Sequence, residues 1–315
     1  MKRFILVAAI FCMFSVSAFA KDALNVNISI DNDLIKGTVS VDGAGASKPI
    51  SIRVLDENGT YNFADVIYTN KSGEASFEYV NSGTTGTYNF TAYSPEKNEK
   101  ADVTFKFFDS DYRITMVNEF NQMLTDRSSA SEYVGKYAQA LDIAEYYSEI
   151  GSSAGFDSVL LSASGEAAEV RDINKMLNDA VLLSLINEKH NGELLERMFA
   201  DEKFKEYSEF ITGSGGESIL NSLSNDIRKP FYTYVANGNY TTVGQLLEAE
   251  KNILLTQGIK NASLATETKI LIESYKNKGW LNLSESQDMD KACGYLTGKS
   301  YLDLRAVEEA YNNYK

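Results

Sequence analysis

A catalytic centre needs groups that converge, and this chain carries few of the usual ones. His190 is its only histidine. A serine or cysteine nucleophile activated by an imidazole would have to use it. It stands in Asn187-Glu-Lys-His190-Asn-Gly192, which reads as the end of a helix. A cation there is favoured by the helix dipole, and Gly192 suits the position just past a helix end. Capping is therefore the expectation for His190, not catalysis. One histidine and two cysteines, Cys12 and Cys293, make poor material for zinc or haem. No glycine-rich loop of the phosphate-cradling type is present.

Carboxylates are plentiful, and glycoside hydrolysis needs only two of them at the right separation. Asp201-Glu202, Glu248 with Glu250, and Glu308-Glu309 all read as solvated helix faces. Asp31-Asn-Asp33 and Asp109-Ser-Asp111 are richer in oxygen. Calcium, a hard cation, takes several such ligands, so Asp31, Asp33, Asp109 and Asp111 are the candidate metal residues. Neither cluster has EF-hand spacing or its distal glutamate, and a turn or a helix cap is the plainer reading. No catalytic residue and no cofactor beyond calcium is assigned, and the chain reads as a non-enzyme. For binding, Tyr61, Tyr68, Tyr79 and Tyr93 could form a surface that stacks on sugars, although strands are rich in tyrosine anyway. Trp280, the single tryptophan, packs a core or anchors a partner.

The tyrosines lie in a region, 22–108, of short alternating segments. These are Leu24–Asp31, Leu34–Val41, Ile50–Leu55, Tyr61–Tyr68, Ala75–Val80, Thr87–Tyr93 and Ala101–Phe108. Turn signals separate them at Asp42-Gly43, Glu57-Asn58-Gly59, Lys71-Ser72-Gly73 and Ser82-Gly83. About seven strands at this spacing predict an all-β immunoglobulin-like sandwich, with positive φ expected at Gly59, Gly73 and Gly86. The runs Val54-Leu-Asp56-Glu-Asn-Gly59, Asn70-Lys-Ser-Gly73-Glu-Ala-Ser-Phe77 and Gly83-Thr-Thr-Gly86-Thr-Tyr88 resemble the bacterial Ig-like module of exported Firmicutes proteins. That resemblance covers about 85 residues and rests on turns and core positions. It implies a fold and names no site.

After Asp109-Ser-Asp111 the apolar period changes from 2 to 3.6, which marks an all-α region, 112–315. Its central helix is Val170–Glu188, apolar on every side from Ala180 to Ile186, so it must be covered on more than one face. The pattern of Val170-Arg-Asp-Ile-Asn-Lys-Met-Leu has counterparts at Val117, Val243 and Leu304. Ala167, Tyr240 and Tyr301 stand three residues before Val170, Val243 and Leu304, and Thr242 and Asp303 are the expected N-caps. The region reads as about three loose helical repeats or a bundle. The first holds Val117–Leu124, Tyr133–Ile150 and Phe156–Leu161. The second holds Val170–Glu188, Glu193–Ile211 and Ile219–Ile227. The third holds Val243–Gly258, Leu264–Lys278 and Met289–Leu296, and Leu304–Tyr314 closes the array. Pro230 is expected to end or kink a helix near Arg228. A helical array after an Ig-like module also resembles the helical regions of Firmicutes surface and S-layer-associated proteins, but no S-layer homology motif is present.

Residues 1–20 read as a secretory signal. Lys2 and Arg3 precede an apolar run, and Ala18-Phe19-Ala20 is a cleavage site. A retained anchor is the alternative. Cys12 lacks the small preceding residue of a lipoprotein signal. Losing Lys2 and Arg3 takes the formal charge from −14 to −16, which disfavours nucleic acid and anionic lipid as partners. No later segment reads as a membrane span. The chain is therefore expected to be secreted or held at the cell surface, cleaved after Ala20. Its expected role is non-catalytic adhesion or assembly, with a surface polysaccharide or an exported protein as partner. A carbohydrate-binding or carbohydrate-processing protein and a structural spacer are the alternatives.

Overall fold

The structure, a computed structural model, describes residues 16–18, 24–162, 165–207, 219–285 and 287–314. The expected leader lies outside the described residues except for Val16–Ala18, a short strand β1. The seven expected strands follow: β2 (Leu24–Asp31), β3 (Leu34–Val41), β4 (Pro49–Asp56), β5 (Tyr61–Tyr68), β6 (Glu74–Val80), β7 (Gly86–Ser94) and β8 (Glu99–Phe107). They form two sheets, ordered β1-β2-β3-β6 and β5-β4-β7-β8, with every pairing antiparallel. Period-2 alternation makes them. Leu24, Val26, Ile28 and Ile30 of β2 point inward, as do Ile50, Ile52 and Val54 of β4 and Val103, Phe105 and Phe107 of β8, and all belong to one apolar cluster. Phe77 of β6 stacks on Phe90 of β7 with ring centroids 4.8 Å apart. Gly37 on β3 makes room for that ring, since a Cβ there would lie 2.5 Å from Phe77 Cζ. Gly59 and Gly73 take positive φ as expected. Gly86 does not: it opens β7, where extended backbone suits any residue. Tyr88 is buried, and its hydroxyl donates back to the Thr84 carbonyl at 2.7 Å.

The helices are α1 (Ser110–Asp126), α2 (Ala130–Tyr137), α3 (Ser153–Leu160), α4 (Val170–Lys189), α5 (Gly192–Phe199), α6 (Ile219–Ser222), α7 (Asn225–Ala236), α8 (Val243–Asn261), α9 (Ala265–Asn277), α10 (Met289–Leu296) and α11 (Leu304–Asn312), with a 3-10 turn at Glu145–Glu149. An all-β region is thus followed by an all-α region. Among the described residues no helix is long and apolar enough to cross a membrane. The chain groups into two compact units, one comprising the residues up to Ile143 with Gly165–Lys175, the other Ala144–Ser164 with Met176–Lys315.

In the first unit the β-region leads directly into α1. Asp109 caps that helix by accepting from the Tyr112 N–H at 2.9 Å, and its second oxygen accepts from the Thr85 N–H at 2.8 Å. Arg113 binds Asp33 at 2.8 Å and the Phe108 carbonyl. Asn121 of α1 pairs with the main chain of Ala167, donating to its carbonyl and accepting from its N–H, both at 2.9 Å.

The second unit repeats that device. Asn187 of α4 pairs in the same two-way manner with Tyr240, also at 2.9 Å on both sides. Ala167 and Tyr240 are the residues three before Val170 and Val243, so equivalent approaches to two repeat helices are held by an asparagine. Thr242 and Asp303 cap α8 and α11. Every residue from Ala180 to Ile186 is buried, as an all-round apolar stretch requires.

Two expectations fail here, and of the two offered for Pro230, an end or a kink, the first does not hold. Glu250 is not solvated but fully buried on α8. Pro230 does not end a helix: α7 begins at its N-cap Ser224 and runs through the proline, held by buried Ile227, Phe231 and Val235. Gly192 is not the residue past the end of α4. His190 itself takes the left-handed conformation, φ +47, and Gly192 opens α5, where a Cβ would lie 2.9 Å from the Thr233 nitrogen of α7.

Candidate binding face

The outer side of β5-β4-β7-β8 is built by register. Val66, Ser51, Tyr93 and Lys100 form one row across the four strands. Ala64, Arg53, Thr91 and Asp102 form the next. Tyr61, Leu55, Asn89 and Thr104 form the third. Tyr61 reaches this side only through a bulge. Strict alternation would send it inward with Phe63, which packs against the core. The pairing slips, so that Val54 opposes Phe63 while Leu55 opposes Tyr61 and Asn62 is left unpaired. A bulge of this kind re-aims the side chain beside it. The Asn62 amide turns to the buried Asn81, donating to its Oδ1 at 2.9 Å, and Tyr61 swings out.

The result is an open groove of about 710 Å³ lined by Tyr61, Tyr93, Arg53, Ala64, Val66 and Lys100 among others. Small residues make its floor: Ser51, Ala64 and Thr91. Tyr61 is 66% exposed, Val66 46% and Tyr93 37%. Tyr68, 64% exposed, stands on the same strand one row beyond Val66, opposite Pro49. Tyr79, expected with them, is elsewhere: it is 8% exposed and its ring stacks on Phe63 at 4.3 Å. Burial pushes its hydroxyl far above the usual tyrosine range. It lies on β6, where alternation sets it on the inward face with Ala75 and Phe77.

The charges on the face are mostly used. Lys100 pairs with Asp102 at 2.8 Å, and the Thr91 hydroxyl donates to the same carboxylate at 2.7 Å. Burial alone would raise the Asp102 carboxyl. Its bonds to Lys100 and Thr91, with the charges of Lys100 and Arg53, bring it net below the usual carboxylate range. Arg53 is exposed and has no hydrogen-bond or ion-pair partner among the described residues. Asp65 caps its own chain: its carboxylate accepts from the Val66 N–H at 2.7 Å. Sequence reading missed Arg53 and Asp65, because their importance comes from neighbours on other strands.

The remaining candidates are occupied with local structure. Asp33 is paired with Arg113, and Asp109 is the cap of α1, its carboxyl held low chiefly by the Tyr112 N–H. Asp31 accepts from the Asn32 amide, and Asp111 sits in the first turn of α1. Among the described residues no group of three or more His, Cys, Asp or Glu is arranged to hold a metal ion. Trp280 completes the end of α9. Its main-chain N–H donates to the Tyr275 carbonyl, the Gly279 N–H donates to the Lys276 carbonyl, and Gly279 takes φ +69, the Schellman arrangement. The ring meets Tyr275 edge-on at 5.1 Å, and the Lys278 and Lys251 ammoniums stand 4.9 and 5.5 Å from its centroid. The His190 ring donates from Nδ1 to the Ala236 carbonyl at 3.1 Å, covering the end of α7. Cys293 is buried, and burial pushes its thiol up to about 11.

No protein-family model matches the chain, and no curated protein matches it.

Proposed function

We propose that this is an exported, non-catalytic protein that mediates adhesion or assembly at the cell surface, and that it binds through the outer face of β5-β4-β7-β8. One observation carries the reading: Tyr61, Val66 and Tyr93 surround a groove on a single face, with small residues between them and with the neighbouring Asp102 already paired. Exposed aromatics gathered at a concave surface mark a contact site. The leader-like start and the acidic charge, −14, support export. We further read the β-region as an immunoglobulin-like sandwich. The strand order β2-β3-β6 with β5-β4-β7-β8 supports this, as does the Tyr88 hydroxyl bonded to the backbone just upstream, the corner typical of such domains. The turns at Gly59 and Gly73 support the likeness to bacterial Ig-like modules.

Retention of the full chain by purified cell wall tests this. The Tyr61→Ala/Tyr93→Ala variant should be released into the supernatant where the parent is held. Equal retention of both would refute the assignment of the face.

A further inference from the structure

We infer that the ligand of this face is an uncharged polysaccharide chain lying along the diagonal Tyr61–Arg53–Tyr93, an inference that rests on the binding role just proposed. The three residues fall on successive strands and successive rows: Tyr61 on β5 opposite Leu55, Arg53 on β4, and Tyr93 on β7 opposite Ser51. With strands about 4.8 Å apart and about 3.3 Å per residue, the two tyrosines stand about 16 Å apart. Between them the floor is low on both sides of Arg53, where Ala64 and Thr91 are its cross-strand neighbours.

Three features choose the occupant. The first is the edge. A peptide or a second copy adding a strand would use the open side of β5, but Asp65 already takes the Val66 N–H there, and a charged side chain at an inward position of an edge strand opposes such pairing. The ligand is therefore left to lie on the face. The second is charge. Lys100 and Asp102 neutralise each other, and the chain as a whole is at −14. A polyanion would be repelled by the molecule that holds the groove, and the acids at the groove are turned away from a polycation, Asp102 to Lys100 and Asp65 to the Val66 N–H. The third is chemistry. Two aromatic rings offer faces of negative quadrupole to C–H groups, and a guanidinium between them offers five donors and no acceptor. A chain of hydroxylated rings, apolar on its faces and acceptor-rich at its edges, fits that alternation.

Affinity electrophoresis of the full chain tests this, using gels that contain hydroxyethyl cellulose, laminarin, galactomannan or dextran, with polygalacturonate as the charged comparison. At least one neutral polymer should retard the chain and polygalacturonate should not. Tyr61→Ala and Tyr93→Ala should each weaken retardation about tenfold, as loss of one stacking platform implies. Arg53→Ala should also weaken it. Tyr68→Ala, off the diagonal, should migrate as the parent does. Retardation only by polygalacturonate, or by no polymer, overturns the neutral-glycan assignment. So does a dimer in sedimentation that Tyr61→Ala converts to monomer. If cell-wall retention still depends on Tyr61 and Tyr93 in those cases, the face remains the binding surface and only the ligand class is wrong. If retention ignores both tyrosines, the face and the diagonal fail together.

Discussion

Glu250 offers the sharpest test of how the helical region is held. It is fully buried on α8, and among the described residues neither carboxyl oxygen has a hydrogen-bond partner. Three tyrosines from three neighbouring segments, Tyr232 on α7, Tyr240 before α8 and Tyr275 on α9, sense it electrostatically. The hydroxyls of Tyr240 and Tyr275 are spent on the Val235 and Lys251 carbonyls, so they do not satisfy it. Burial alone raises its pKa well above the usual carboxyl value. The folded chain thus keeps a proton that the unfolded chain releases above about pH 4.3. Stability should then fall as pH rises from there to the folded pKa, by about 1.4 kcal/mol per pH unit. Glu250→Gln cannot ionise and should abolish that slope while keeping a buried unpaired amide. Glu250→Leu should also abolish the slope and be more stable than Glu250→Gln by about 1–3 kcal/mol at every pH, by removing an unsatisfied polar group. Urea unfolding followed by tryptophan fluorescence is the assay, because Trp280 is the only tryptophan and belongs to the same unit. If parent and Glu250→Gln keep a constant difference from pH 4.5 to 8, the buried acid does not govern stability and the reasoning is wrong.

Three further outcomes are expected. Gly37→Ala should destabilise the β-region by about 1–3 kcal/mol or more through overpacking, because its Cβ would stand 2.4 Å from the Asn27 carbonyl and 2.5 Å from Phe77; unchanged urea unfolding would contradict the packing described. Asn187→Ala removes both bonds to Tyr240 and should cost about 1–3 kcal/mol, with faster amide exchange at the Tyr240 N–H, and unchanged exchange there would show that the pairing is idle. Asp65→Ala uncovers the Val66 N–H at an open edge, so sedimentation should show concentration-dependent association that the parent lacks, and a monomer at all concentrations would remove the case for a capped edge.

The strands were legible because a period of 2 with glycine turns has one reading, and all seven fall within two residues of their expected ends. The helical starts at Val170, Val243 and Leu304 were legible from caps and spacing. Interruptions were not. A single helix was expected over Tyr133–Ile150, yet α2 stops at Tyr137 and only a 3-10 turn follows. The Asp142 and Ala144 N–H groups are instead taken by Asn174 and Asn178 of α4, partners more than thirty residues away that no local pattern reveals. The site was half legible. Tyrosine content pointed to the β-region, but alternation alone assigns Tyr61 to the core, and it took an unpaired Asn62 anchored by Asn81 to turn it outward.

The polar groups of the two regions are spent differently, and that contrast bears on where binding is sought. Along the helices the conspicuous side chains serve their own backbone. Asn121, Asn174, Asn178 and Asn187 all satisfy main-chain groups of approaching segments. The His190 ring covers a helix end. Such groups cannot turn to a ligand without giving up about 0.5–1.5 kcal/mol per bond. On the outer sheet face, Lys100, Thr91 and Asp102 satisfy one another, while Arg53, Tyr61 and Val66 lie open to water. A surface that leaves a guanidinium and aromatic rings exposed, on strands fixed by register rather than on loops, holds its contacts in place before a ligand arrives, which lowers the ordering cost that binding must overcome. That preorganisation, more than the number of tyrosines, is why the face is the better place to look for this chain's partner.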